Sequence, residues 1–287
     1  MQLHKEENGE LLNADLQIHI DSLDFTYKGS NNPVLNKISL NIDGPQLVSI
    51  LGPNGAGKST FIHCMNKLLE PTGGTVLVNG FNVEDITIKE MAKISSYVPY
   101  TSTDSFPLTV VDTILMGRHP HSKIGSIKED LEIVHESLKL LNIEDLADSM
   151  FNELSAGQHQ KVMLARGFAQ EPRILFLDEP TSNLDIKYQL EITRILRRMS
   201  RQKNVLVVMI SHDINIAAKY SDNIIVLHNH CIHSVGTPEQ VITKEMLKEV
   251  YDVDAEIIMD SGKPHLLLLD DEAYDALPPK SSVVIPE

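Results

Sequence analysis

A glycine-rich stretch with one lysine and two hydroxyl residues is the part of the sequence best suited to bind phosphate. Residues 52–60 read Gly-Pro-Asn-Gly-Ala-Gly-Lys-Ser-Thr, after the apolar run 47–51 and before residues 61–69, which contain no helix breaker. This order of strand, turn and helix matches the phosphate-binding loop pattern G-x-x-x-x-G-K-[ST]. Backbone N–H groups at the glycines and at the helix N-terminus can surround phosphate oxygens.

The side chains of the same stretch indicate a nucleoside triphosphate. Lys58 can reach the β- and γ-phosphates, and the Ser59 hydroxyl can hold Mg²⁺. A glycine-rich turn can also join a strand to a helix without a ligand, but a lysine and a serine at these positions count against that alternative. The predicted phosphate-binding residues are Gly52, Pro53, Asn54, Gly55, Ala56, Gly57, Lys58, Ser59 and Thr60.

Two adjacent carboxylates and a histidine follow two further apolar runs. Asp178 and Glu179 come directly after residues 173–177, and His212 follows residues 205–210. Phosphoryl transfer depends on positioning and charge neutralisation, so one carboxylate can bind a metal ion while the other faces water. Taken alone the pair could be a solvated acidic turn, but Lys58 in the same chain counts against that alternative.

These residues need a sheet that brings the ends of separate strands together. Near-continuous apolar runs followed by helices predict a parallel sheet covered on both faces, with Gly52, Asp178 and His212 at the carboxyl ends of its strands. Alternating apolar residues at 16–27 and 38–42 predict antiparallel strands with one buried face. Helical periodicity from 108 to about 141 predicts an inserted helical subdomain.

The composition agrees with an α/β protein and restricts the class of function. The 287-residue chain is 42% hydrophobic and has no apolar run that approaches the length of a membrane span. Its net charge of −15 argues against wide contact with nucleic acid, and its two cysteines do not form a disulfide framework. The N-terminus also lacks an apolar secretory core. We therefore expect the protein to reside in a reducing cytoplasm.

Four motifs in this order resemble the ATP-binding cassette (ABC) ATPases. They are the phosphate loop, the segment Leu154-Ser155-Ala156-Gly157-Gln158, the Asp178–Glu179 pair and His212. The resemblance implies ATP and Mg²⁺ as ligands and a phosphate-loop NTPase core with an antiparallel β subdomain and an inserted α-helical subdomain. The implied boundaries are a flexible extension at 1–15, an ATPase domain at 16–250 with the helical subdomain at about 101–170, and a C-terminal extension at 251–287.

The resemblance also assigns roles to single residues. Asp178 matches the carboxylate that binds Mg²⁺ together with Ser59, and Glu179 matches the general base. His212 matches the histidine that contacts the γ-phosphate, and Tyr27 matches the aromatic residue that stacks on adenine. From the residues alone, Tyr27 could equally be a strand-end core aromatic.

A second copy of the chain is implied as well. In the family, the 154–158 segment faces the phosphate loop of another subunit, so Ser155 and Gly157 would contact the partner's nucleotide and Asp185 would lie at the dimer interface. Ser155 with Gln158 also fits a capping box, which explains the segment taken in isolation. One chain holds one set of motifs, which predicts a homodimer.

Several stretches resemble the ATPases of iron-siderophore, haem and cobalamin importers, namely 106–110, 116–121, 236–238 and 250–255. This resemblance implies a polytopic permease, an extracytoplasmic substrate-binding protein and a position on the cytoplasmic face of the membrane. The alternative is a non-transport cassette that acts on nucleic acid or the ribosome, or assists iron–sulfur assembly. The acidic balance and the absence of a second cassette count against the nucleic-acid alternative.

One position departs from the family pattern. In the family, a glutamine usually follows Val-Pro at the end of the strand near Val98. This chain has Tyr100 at that position, and its next glutamine is Gln158. The family's glutamine reaches Mg²⁺ and the attacking water, whereas tyrosine offers a hydroxyl but no amide. We predict slower basal hydrolysis or altered coupling rather than loss of ATP binding. Compensation by Thr101, Ser102 or a water is an open alternative.

A histidine-rich segment has two interpretations. His228, His230, Cys231 and His233 could bind a metal ion, but their spacing matches neither a helical site nor a zinc finger. The family has an ordinary hairpin at this position. We therefore expect a solvated hairpin here.

Overall fold

The computed structural model describes residues 11, 14–100, 107–121, 127–182 and 184–269. The strands within these residues are β1 (Gln17–Phe25), β2 (Leu35–Asp43), β3 (Leu47–Leu51), β4 (Gly73–Val78), β5 (Phe81–Asn82), β6 (Ser95–Val98), β7 (Ile174–Leu177), β8 (Leu206–Ile210), β9 (Asn223–His228), β10 (Cys231–Gly236), β11 (Ala255–Asp260) and β12 (Lys263–Leu268). The α-helices are α1 (Lys58–Met65), α2 (Ile88–Ile94), α3 (Val110–Leu115), α4 (Ile127–Leu140), α5 (Ala156–Ala169), α6 (Ile186–Gln202), α7 (Ile214–Tyr220), α8 (Pro238–Val241) and α9 (Lys244–Tyr251). Short 3₁₀ segments lie at Met116–His121, Glu144–Leu146 and Phe151–Glu153.

A six-stranded sheet in the order β10-β9-β3-β8-β7-β6 forms the centre of the fold. Its neighbours from β6 to β9 are parallel, and β10 pairs with β9 in antiparallel orientation. Every residue of β3, β7 and β8 is buried. Phe176 packs into the core on one face and Leu175 into the core on the other. The predicted parallel sheet with two covered faces is confirmed.

The antiparallel subdomain is a four-stranded sheet in the order β2-β1-β4-β5. The sequence suggested two runs within residues 16–27, but the structure has one strand, β1, with register shifts between Ile20 and Leu23 and between Leu23 and Phe25. At the first shift Ser22 has a positive φ of 50°, and its N–H donates to Ser39 Oγ. A bulge of this kind adds a residue without moving the apolar set to the solvent face, which explains the broken alternation.

The helical subdomain is built from α3, the 3₁₀ segment Met116–His121, α4 and α5. Its first helix begins at Val110 rather than at 108, because the Thr109 side chain caps it and accepts from the N–H of Asp112. The buried Arg118 ties the 3₁₀ segment to α4 through an ion pair with Asp130 at 2.9 Å. Residues 94–98 predict a buried strand, and its first residue, Ile94, is instead the last residue of α2, so the sequence does not predict this helix.

The proposed extensions contact the core where they are described. Leu11 is 5% exposed, and its carbonyl accepts from Asn79 Nδ2. A loose N-terminal extension therefore does not describe this residue. After α9, β11 and β12 form a hairpin that is joined to α7 by Asn215, whose amide both donates to the carbonyl and accepts from the N–H of Leu266. No helix among the described residues is long and apolar enough to cross a membrane.

Candidate functional site

The phosphate loop connects β3 to α1 at the carboxyl edge of the central sheet. Gly57 is the N-cap of α1 with a φ of 95°, a conformation that favours glycine. Gly52 has a φ of 143°, and a Cβ built there would lie 2.1 Å from the carbonyl oxygen of Leu227 in β9. This contact fixes the start of the loop against the neighbouring strand, because no other residue fits the space.

Lys58 is folded back over the loop. Its side-chain nitrogen donates to the carbonyls of Gly52 at 2.9 Å and Pro53 at 3.0 Å, and the residue is 7% exposed. Burial lowers the pKa of Lys58, and the negative charges of Glu179 and Asp178 oppose that effect. The lysine and both carboxylates, which are far apart in sequence, therefore share one electrostatic environment.

A cleft of about 260 Å³ opens beside the loop. Its lining combines backbone of the glycine-rich turn with the lysine, two hydroxyl groups and one carboxylate, a composition suited to a phosphate chain and a metal ion. The lining residues are Val34, Asn54, Gly55, Gly57, Lys58, Ser59, Thr60 and Glu179.

Glu179 and His212 meet at this edge. His212 Nε2 and Glu179 Oε1 are 2.5 Å apart, and the other carboxylate oxygen accepts from Ser182 Oγ at 2.9 Å. The histidine side chain is 40% exposed and that of the glutamate 23%, so both remain open to water. Glu179 has a φ of 50°, a left-handed conformation that costs about 1–3 kcal/mol in a non-glycine residue and is typical of functional sites.

Asp178 is buried, and its partner was not recognised in the sequence. Tyr97, on β6, donates from its hydroxyl to Asp178 Oδ2 at 3.4 Å. The hydroxyl oxygen of Tyr97 also lies 2.9 Å from His63 Nε2. Burial raises the pKa of Tyr97 and lowers that of His63. Tyr97 falls within the run assigned to a buried strand, and a polar aromatic residue near the end of such a run was the available signal.

Tyr27 lies beyond the end of β1 and is 46% exposed. Its hydroxyl is 3.0 Å from Thr60 Oγ1, and its ring meets that of Phe25 edge-to-face at 4.9 Å between centroids. A tyrosine held by the last loop residue, with its ring open to solvent, can accept a flat base beside the phosphate cleft.

The 154–158 segment and Asp185 are both in contact with Tyr188, and neither is among the residues that line this cleft. Ser155 caps α5, and both hydrogen bonds of the capping box with Gln158 are present. Asp185 caps α6 by accepting from the N–H of Tyr188 at 2.9 Å. The Tyr188 ring also lies 3.4 Å from where a Cβ of Gly157 would stand. Tyr188 thus joins the two predicted dimer-facing segments.

Tyr100 and the histidine-rich segment 228–233 are the two remaining features singled out in the sequence. Tyr100 is 41% exposed, and Thr101 and Ser102 lie outside the described residues. β9 and β10 form the predicted hairpin, and His233 Nε2 pairs with Glu249 at 2.9 Å. In the described part of the chain, no three His, Cys, Asp or Glu side chains are grouped to hold a metal ion.

The donor set at the cleft fits Mg²⁺. Ser59 lines the cleft, and the charge of Asp178 acts on Lys58, which itself faces the phosphate loop. A hydroxyl and a carboxylate are the hard oxygen ligands that Mg²⁺ takes beside phosphates. Lys58 donates to two carbonyls and Tyr97 donates to Oδ2 of Asp178, so the lysine does not occupy this carboxylate.

A phosphate loop, two carboxylates and a histidine at adjoining strand ends, together with a capped helical segment on an inserted subdomain, define a cassette-type phosphate-loop ATPase. The family model described as ABC transporter matches residues 35–182. The chain belongs to this family and is an ABC ATPase.

Several relatives carry more specific names. The chain is 44% identical to an uncharacterized ABC transporter ATP-binding protein of Methanocaldococcus jannaschii, over 86% of this chain and 96% of the relative. It is 36% identical to the petrobactin import ATP-binding protein YclP of Bacillus subtilis, over 77% of this chain and 87% of the relative. It is 33% identical to the cobalamin import ATP-binding protein BtuD of Halobacterium salinarum, over 83% and 59% respectively.

Solved structures share the fold. A metal-chelate type ABC transporter in an inward-facing conformation superposes with a TM-score of 0.76 at 24% identity, over 89% of this chain and 98% of that one. A dimeric post-hydrolysis cassette bound to ADP and phosphate has a TM-score of 0.69 at 29% identity, over 77% and 98%. The predicted fold class is confirmed.

The approach of Gly52 to Leu227 can be tested by comparing two glycines with positive φ. Gly52→Ala should lower the free energy of unfolding by at least about 2–3 kcal/mol, because its Cβ would overlap a backbone carbonyl. Gly44→Ala is the control, since its Cβ meets nothing within 4 Å, and should cost only about 1 kcal/mol. Urea denaturation measures both, and equal losses would contradict the steric argument.

Proposed function

We propose that this chain is the ATP-hydrolysing subunit of an ABC importer whose cargo is an iron–siderophore, haem or cobalamin complex. The contact of Glu179 with His212 at the edge of the phosphate-loop cleft carries the hydrolytic part of the proposal. Relatives named for petrobactin, siderophore and cobalamin transport support the importer part.

The proposed chemistry follows from the position of each group. Backbone N–H groups of the loop and Lys58 bind the phosphates, and Lys58 exchanges its bonds with the Gly52 and Pro53 carbonyls for phosphate oxygens. Ser59 and Asp178 would hold Mg²⁺. When bound, the metal ion would neutralise charge on the transferring phosphoryl group.

Glu179 is the proposed general base, and His212 positions it. The partly exposed carboxylate can accept a proton from a water in line with the γ-phosphate. His212 holds one carboxylate oxygen, and Ser182 holds the other, so the orientation of the base is fixed before ATP arrives. His212 can then contact the γ-phosphate once the cleft is filled.

The remaining predicted contacts are with the adenine ring and with a second subunit. Tyr27 would stack on adenine. Ser155 and Gly157 would meet the γ-phosphate bound by the partner copy, with Asp185 near the interface. Two observations support this arrangement: none of the three residues lines the Lys58 cleft, and a dimeric cassette is among the structural relatives.

The proposed partners are a polytopic permease and an extracytoplasmic substrate-binding protein, with this chain as a peripheral subunit at the cytoplasmic face of the membrane. The helical subdomain would contact the permease through the region from residue 106 to 121 and the neighbouring helices. In its described part, Met116 is 57% exposed, as an interface residue should be.

The base assignment is tested by Glu179→Gln, which keeps the size of the side chain but removes the proton acceptor. We expect unchanged ATP affinity, a nucleotide-dependent dimer and turnover reduced by roughly 10²–10⁴-fold. Glu132→Gln, an exposed residue on α4, is the matched control and should hydrolyse ATP at the native rate. Phosphate release and size-exclusion chromatography measure these properties. Turnover near the native rate in Glu179→Gln would contradict the assignment.

The shared site is tested by mixing two inactive variants. Lys58→Ala disables one half-site, and Ser155→Asp disables the other, because aspartate can still cap α5 but repels phosphate. Mixed dimers contain one intact site, so an equimolar mixture should recover about a quarter of the native turnover if subunits pair at random. Lys58→Ala mixed with Glu179→Gln affects the same half-site and should recover nothing. No recovery in the first mixture would contradict the proposed dimer.

The importer assignment is tested by purification from native membranes in a mild detergent. A polytopic membrane protein should co-purify, and Met116→Glu should reduce its recovery several-fold, because a charge at the centre of a docking surface is costly to desolvate. Lys244→Glu on α9 changes an exposed residue outside the helical subdomain and is the control. Repeated absence of a membrane partner would favour a non-transport cassette.

A further inference from the structure

We propose that Tyr97 is a positioning residue that connects the permease-facing side of the helical subdomain to Asp178, with His63 holding its hydroxyl. This inference rests on the importer proposed above and deepens it. The family pattern has a glutamine after strand β6, whereas this chain has Tyr100 there. We assign the connection to Tyr97, which lies within β6.

The hydroxyl of Tyr97 stands between two side chains from different elements. His63, on the helix that follows the phosphate loop, lies 2.9 Å from it, and Asp178 Oδ2 lies 3.4 Å from it. The rings of His63 and Tyr97 pack edge-to-face at 5.2 Å between centroids. Neutral tyrosine has one proton, so if it donates that proton to Asp178, His63 donates its Nε2–H to the tyrosine oxygen.

The backbone holds this arrangement rigidly. Tyr97 is paired in parallel register with Phe176, and the N–H of Asp178 donates to the carbonyl of Val98 at 2.9 Å. The tyrosine and the aspartate thus sit on adjoining strands with a fixed spacing. A movement of β6 is transmitted to the carboxylate through both the backbone bond and the side-chain bond.

The other side of Tyr97 faces the helical subdomain. Tyr97 lines a cavity of about 300 Å³ together with Met116, Gly117, His119 and Pro120. Gly117 is packed so closely that a Cβ there would lie 2.3 Å from the Arg166 carbonyl oxygen, which fixes the 3₁₀ segment on α5. A partner helix that presses on exposed Met116 therefore acts on a wall of the cavity that contains the tyrosine.

The metal arm of the test uses Mn²⁺ as the probe and needs no hydrolysis. In full-length protein carrying Glu179→Gln and loaded with ATP, adding Tyr97→Phe should raise the Kd for Mn²⁺ about tenfold, the loss expected for one hydrogen bond to a carboxylate. Electron paramagnetic resonance of free Mn²⁺ measures it. His63→Gln, which keeps an N–H donor, should shift the Kd less than His63→Leu.

Tyr220→Phe removes the hydroxyl of another buried tyrosine, which lines a different cavity from Tyr97, and is the matched control. It should leave the Mn²⁺ Kd unchanged. An unchanged Kd in Tyr97→Phe, or a shift of the same size in Tyr220→Phe, overturns the positioning role.

The coupling arm uses the complex purified with its membrane partner. At saturating Mg²⁺, Tyr97→Phe should reduce the ratio of partner-stimulated to basal turnover several-fold, while Tyr220→Phe leaves the ratio at the native value. A shifted Mn²⁺ Kd with an unchanged ratio overturns the connection to the permease. If the native chain has no membrane partner, the proposed importer fails, yet a Mn²⁺ shift in Tyr97→Phe still supports the role of Tyr97 at Asp178.

Discussion

The ammonium group of Lys58 is buried at the point where three strands end, and a buried charge must be compensated. Two loop carbonyls accept its hydrogen bonds, and the nearby carboxylates of Glu179 and Asp178 offset the effect of burial on its pKa. The loop can close around the lysine only because Gly52 approaches the backbone of β9 without a side chain. The arrangement of β3, β7 and β9 is therefore coupled to one cation.

The parallel order of the central strands turns distant sequence positions into neighbours. β3 lies between β8 and β9, and β8 lies beside β7, so residues 52, 178 and 212 all leave the sheet at the same edge. Helix caps then fix the segments beyond it. Ser155 and Asp185 each cap a helix, and Tyr188 contacts both regions. The residues that cap the N-termini of these helices are also the residues proposed to face a second subunit.

Much of this site could be predicted because its signals are local. A glycine-rich turn before a lysine, a capping box and carboxylates after an apolar run each need only a few adjacent residues. The link from Tyr97 to Asp178 could not be predicted, since it depends on the pairing of β6 with β7 across almost eighty positions. Helix α2 was missed for a different reason: its N-terminal signal, Thr87 with Glu90, was present, but the apolar run after it favoured a strand.

The β11–β12 hairpin at the end of the described residues affects how much of the chain a functional fragment must include. Asn215, three residues after His212, forms a pair of hydrogen bonds with Leu266 that resembles the pairing of two strands. The hydroxyl of the partly buried Tyr251 contacts the backbone of Gly52. The phosphate loop and the helix after His212 thus contact residues well beyond the last of the four motifs. We therefore expect a fragment with these contacts intact to extend to Leu268 rather than to end at the last recognisable motif.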